Sequence, residues 1–161
     1  MQQHLRWIVT VDGRKATLFS CKMTPGGTLH LDRVRSLDNP HEGEHERHRP
    51  SLLGGAERRG GRGGSSATAA PHTASFGHEL EEEQRRFARE VTGWLSAAGR
   101  ERGKERISVF AAPRVLGLLR EQTDDLGPNV DLREGDLTHL AEHELAEHQA
   151  VRNAVTGPAQ L

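Results

Sequence analysis

Apolar and polar residues alternate through the first 38 positions. Leu5, Trp7, Val9 and Val11 recur at every second residue, and Ile8 adds apolar surface on the other side. This period of two predicts a β-strand over residues 5–12. Asp12-Gly13 is a turn signal, and residues 16–21 read as the returning strand. Pro25-Gly26-Gly27 marks the next turn. Residues 28–37 alternate through Leu29, Leu31, Val34 and Leu37, with a slip between 31 and 34 that predicts a bulge or bend.

Residues 39–77 break this pattern. They hold few large apolar side chains and much His, Gly, Arg, Ser and Pro. Such a stretch cannot bury enough surface to offset its ordering entropy, so a long mobile loop is expected there. The period then changes to that of a helix over residues 78–98. Leu80, Phe87, Val91, Trp94, Leu95 and Ala98 share one face. Glutamates 79, 81, 82 and 83 crowd its first turns, and Gly99 and Gly103 are expected to end it.

Residues 106–112 are almost continuously apolar, as in a central strand covered on both sides. Pro113 suits the first position of a helix running to about Thr123. Gly127-Pro128 stops that helix, and 129–133 alternates as a last strand. Thr138 is placed to cap a final helix carrying Leu140, Leu145, Val151 and Val155. Residues 157–161 read as a frayed tail. The order is β-β-β-(long loop)-α-β-α-β-α, an α/β fold with a mixed sheet and helices packed on it. The 161 residues suit one domain, over 1–156, with the 39–77 loop inside it.

Composition narrows the function classes. No run of about 18 apolar residues is available for a transmembrane helix. The N-terminus, Met1-Gln-Gln-His-Leu-Arg-Trp7, lacks a basic stretch followed by an apolar one. The single cysteine, Cys21, excludes an internal disulfide framework. A cytoplasmic protein is therefore expected. The net charge of −1 hides a mildly basic first half and an acidic end, with 11 basic and 16 acidic residues after position 78. Lysine occurs only at 15, 22 and 104, an arginine bias that genomic base composition accounts for, so only a local arginine cluster carries functional weight.

Ten histidines invite a metal reading. His41, His45 and His48 fall on one face if Asn39 and Glu42 cap a short helix, but no fourth zinc ligand is fixed and Gly43 weakens that helix. A polar loop helix is the competing reading. His139, Glu142 and His143 spell H-x-x-E-H, yet only 18 residues remain for a third ligand and both histidines face away from the apolar side. His148 lies at the core edge. Cys21 reads as a buried structural thiol. Asp12 is explained by Asp-Gly turn chemistry. No nucleotide loop, metal set or cofactor motif is complete.

One cluster stands out: Arg58-Arg59-Gly60-Gly61-Arg62-Gly63-Gly64-Ser65-Ser66. Three arginines on an extendable glycine backbone can track phosphates while amides approach closely. A low-complexity linker kept soluble by charge is the alternative.

Several stretches together resemble the bacterial host attachment protein family: Trp7-Ile-Val-Thr-Val-Asp-Gly-Arg-Lys-Ala-Thr-Leu-Phe19, Phe87-Ala-Arg-Glu90, Val109-Phe-Ala-Ala-Pro-Arg-Val-Leu-Gly-Leu-Leu-Arg120, Asp136-Leu-Thr138 and His143-Glu-Leu145. More distantly, the chain is similar to the middle domain of archaeal and eukaryotic class-one release factors, which implies a ribonuclease-H-like sheet. There too an Asp-Gly strand end leads to an Ala-x-Leu-Phe strand, and a G-R-G-G-Q loop precedes a long helix. Gly61-Arg62-Gly63-Gly64 occupies the matching place, with Ser65 where glutamine is expected. The resemblance implies a non-enzymatic module that binds ribosome or RNA through Arg58, Arg59, Arg62, Gly63 and Gly64. Two alternatives stay open. One is a degenerate peptidyl-tRNA hydrolase acting on stalled ribosomes with Gly63, Gly64 and Ser65. The other is a protein-interaction factor indirectly required for attachment.

Overall fold

The computed structural model describes residues 6–40, 72–103 and 105–157. Five strands form one sheet in the order β3-β2-β1-β4-β5. They are β1 (Arg6–Val11), β2 (Lys15–Met23), β3 (Leu29–Asp38), β4 (Arg106–Ala111) and β5 (Val130–Glu134). β1 pairs antiparallel with β2 and parallel with β4, and β5 extends the parallel half. The mixed sheet is as expected.

Strand alternation divides the core into two layers. Val9, Val11, Leu18, Ile107, Val109 and Ala111 face one side, and Ile8, Phe19, Cys21 and Phe110 face the other. Helices α1 (His72–Glu101) and α2 (Pro113–Arg120) cover the first side; α3 (Glu142–Glu147) and α4 (Gln149–Thr156) cover the second. β4 therefore needs apolar residues on both faces, which is why its sequence runs apolar without alternation.

The slip in β3 is a bulge. Leu18 opposes Arg35 while the next residue, Phe19, opposes Arg33, so Val34 is the extra residue. Its side chain is 47% exposed. Leu29 and Leu31, before the bulge, join the α3–α4 layer; Leu37, after it, packs on the α1–α2 layer.

α1 begins at His72, six residues before the predicted start, with Pro71 just ahead in sequence. Its 30 residues span about 45 Å, against about 20 Å for a six-residue strand. Only the later turns are buried, through Phe87, Ala88, Val91, Leu95 and Ala98; Leu80 is half-buried. Gly99 lies inside the helix, and Gly103 (φ 62°) follows its end. α2 starts on Pro113 as expected but stops at Arg120, with a single 3-10 turn at Thr123–Asp125.

The final helix is two helices, contrary to the single one expected. His148 (φ −64°, ψ 125°) separates them. On one straight helix Val151 would lie about 120° from Leu145. The break turns both toward the sheet, where each is fully buried. Nor does Thr138 cap a helix: the first turn of α3 is closed by Glu144, whose carboxylate accepts from the Ala141 amide at 2.8 Å.

Candidate functional site

β1, β3, β4 and β5 all run toward one edge of the sheet, because β2 alone runs in the opposite direction. In open α/β sheets, ligands bind outside the carboxyl ends of parallel strands. Here that edge holds Asp12 after β1, Asn39 after β3, Ala112 after β4 and Gly135-Asp136-Leu137-Thr138 after β5.

Asp12 ties the edge together. Its Oδ1 accepts from the amides of Arg14 (2.7 Å) and Lys15 (2.9 Å), fixing the β1–β2 turn. Its Oδ2 accepts from the Thr138 hydroxyl at 2.5 Å. That hydroxyl has one proton, and the Asp136 carboxylate lies 3.3 Å away as a second acceptor. Turn chemistry thus explains only half of Asp12, and Thr138 holds β5 to β1 across 126 positions of sequence. Asn39 pins the end of β3 to the same turn: its side-chain amide donates to the Gly13 carbonyl (3.0 Å) and its backbone amide to that of Arg14 (2.7 Å). Gly135 donates to the Ala111 carbonyl at 2.9 Å. A Cβ on Gly135 would sit 3.3 Å from the Phe110 ring, so this crossing is close-fitted around glycine.

Three of the resembling stretches, those containing Asp12, Ala111-Ala112 and Asp136-Leu-Thr138, therefore meet at one edge. In sequence, the profile of a family described as "Protein required for attachment to host cells" matches residues 7–148. The chain belongs to this family. No curated protein matches the host-attachment chain in sequence. Among solved structures, the Aquifex aeolicus Ppx/GppA phosphatase (type II variant) is similar at 10% identity and a TM-score of 0.42. The likeness covers 81% of the host-attachment chain and 35% of the phosphatase, so this chain spans about a third of that protein's length.

The remaining candidate residues separate into two groups. Arg58, Arg59, Arg62, Gly63, Gly64 and Ser65, and with them His41, His45 and His48, lie outside the described residues. The H-x-x-E-H spelling does not lie on one helix, because His139 precedes α3; both it and His143 are exposed. His148 is half-buried, and its Nδ1 accepts from the Ala150 amide (3.3 Å), capping α4. Among the described residues no group of three His, Cys, Asp or Glu is placed to hold a metal ion, and no helix is long and apolar enough to cross a membrane. Cys21 is buried, and burial pushes its thiol from 9.0 up to about 12, with Arg6 pulling weakly the other way. It packs as a structural thiol. Sequence reasoning missed the Thr138–Asp12 bond, for which only the motif Asp136-Leu-Thr138 gave a signal.

Proposed function

We infer that this member of the host-attachment family is a cytoplasmic, non-enzymatic module of the release-factor middle-domain kind. It would bind ribosomal or other RNA through Arg58, Arg59 and Arg62, with the amides of Gly63 and Gly64 approaching phosphate. One observation carries this reading. The segment bearing the three arginines leaves β3 where Asn39 is pinned to the β1–β2 turn, at the edge where the parallel strands end. The element order β-β-β-α-β-α-β, with β1 in the centre of the sheet, supports the ribonuclease-H-like resemblance on which the reading leans.

The test is co-sedimentation of the full chain with bacterial ribosomes across a salt series, against a variant with Arg58, Arg59 and Arg62 all changed to alanine. The expected result is salt-steep association, with the slope of log affinity on log salt reduced by about 2 in the variant. No association at low salt, or association indifferent to the three arginines, overturns the reading. The family description favours a second reading, a protein-interaction factor needed for attachment to host cells. Loss of attachment in a deletion strain, restored in full by the triple-alanine variant, would favour it.

A further inference from the structure

A groove of about 630 Å³ runs along α1, on the side facing the end of α2 and the 3-10 turn, away from the edge described above. This size lies within the usual range for ligand sites. One wall is basic and the other acidic. Arg89 and Arg100 project from α1; Glu121, Gln122 and Asp125 stand opposite. Arg85, at the groove's end, is held by Glu81 at 3.1 Å. Among the described residues neither Arg89 nor Arg100 has an ion-pair partner. The groove continues into a second hollow of about 440 Å³, which shares Ser96, Arg100 and Asp125 with it.

Gly93 is the second observation. It lies mid-helix, where glycine is about 1 kcal/mol worse than alanine. A Cβ at Gly93 would meet nothing within 4 Å, and its φ is an ordinary helical one. Neither packing nor backbone geometry calls for glycine there. What it does is leave the helix backbone open at the groove wall, as a closely approaching ligand requires.

We propose that this groove binds a short stretch of single-stranded RNA carrying a guanine. A bare anion would meet Glu121 and Asp125, and a bare cation would meet the arginines. A nucleotide strand offers each wall what it needs. Its phosphates face Arg89 and Arg100, which stand about 16 Å apart along the helix. Its base edge donates N–H groups to the carboxylates, and guanine presents two donor groups side by side. The inference rests on the RNA-binding reading above and adds a second contact surface with a base preference.

The test is fluorescence anisotropy of the full chain with labelled single-stranded RNA hexamers, all uridine or with one central guanosine. The guanosine hexamer is expected to bind at least about fivefold tighter. Asp125→Asn should erase that preference. Arg89→Ala with Arg100→Ala should weaken both hexamers and lower the salt slope by about 1.4, for two single-strand phosphate contacts. Gly93→Gln should weaken both about tenfold, with a melting temperature equal to or above the parent's, which separates blockage from misfolding. Parent-like binding in all the groove variants overturns the proposal. If the Arg58, Arg59 and Arg62 variant then loses binding, the arginine-loop reading survives alone. If the parent binds neither hexamer at low salt, the groove proposal falls, and ribosome co-sedimentation alone then decides the arginine-loop reading.

Discussion

The two ends of β1 are finished in opposite ways. At its N-terminal end the closing groups are arginines. Arg6 donates to the carbonyls of Ala154 (2.8 Å) and Gly157 (3.0 Å), closing α4. Arg102 lies 4.1 Å over the Trp7 ring and donates to the Ala98 carbonyl (3.1 Å), closing α1. The Trp7 indole N–H donates to the Glu105 carboxylate. At the C-terminal end the closing groups are the Asp12 carboxylate, a hydroxyl and backbone amides. Helix C-termini concentrate free carbonyls and partial negative charge, which cations satisfy. Strand-to-loop turns leave amides free, which a carboxylate satisfies. The cationic end is thus a seal built from long side chains over aromatic surface. The anionic end is a lacing of short polar contacts, and the 41–71 segment leaves beside it.

The comparison can be broken by mutation. Trp7→Ala removes a ring, a stacked cation and a hydrogen bond, and should cost about 3 kcal/mol by urea denaturation. A cost below about 1 kcal/mol would mean that the seal is decorative. Asp12→Ala deletes three hydrogen bonds and should cost about 2 kcal/mol, and Thr138→Val about 1 kcal/mol. The double variant should show coupling of about 1 kcal/mol; strict additivity would mean that the two residues do not act as one fastener. Gly135→Ala should cost about 1 kcal/mol, since the Phe110 ring must yield to the added methyl. A neutral or stabilising result there would show slack in the lacing.

A fourth test addresses the sealed end alone. Cys21 pairs across the sheet with Arg6, and its thiol stays protonated far above the usual range because it is buried. A thiol held up to about 12 holds roughly a thousandfold less thiolate than one at 9.0. Native protein at pH 8 should resist alkylation and react only when unfolded. By the same linkage, stability should hold below pH 9 and fall as pH rises toward 12, because the unfolded thiol ionises first. Rapid alkylation of the native protein would show that this end opens.

Much of the fold was legible from periodicity. Trp7, Val9 and Val11 marked β1, Ile107 to Ala111 marked a doubly covered strand, and the slip before Val34 marked the bulge. Each of these is local, set by which side of one strand meets a core. Three features were not legible. The Thr138–Asp12 bond joins residues 126 apart, and nothing near Thr138 distinguishes it from a helix cap. The break at His148 follows from where Leu145 and Val151 must point in three dimensions, not from any breaker residue. Gly93 carries no signal in the helix period, and only the fold shows that nothing lies within 4 Å of where its Cβ would be. The arginine cluster shows the converse: its chemistry is legible in residue type alone, while its residues lie outside those described.

The Val34 bulge has a consequence of counting. Along β3 the fold reads whether a residue's position is odd or even, and Val34 switches that reading midway. Val34 is about half exposed, so Val34→Lys should be nearly silent. Deleting the residue would leave Arg33 opposite Phe19 and Arg35 opposite Leu18, now as direct neighbours, so plain alternation would keep Leu37 on the α1–α2 layer. At this position the strand keeps the same partners whichever residue stands there, and even when none does.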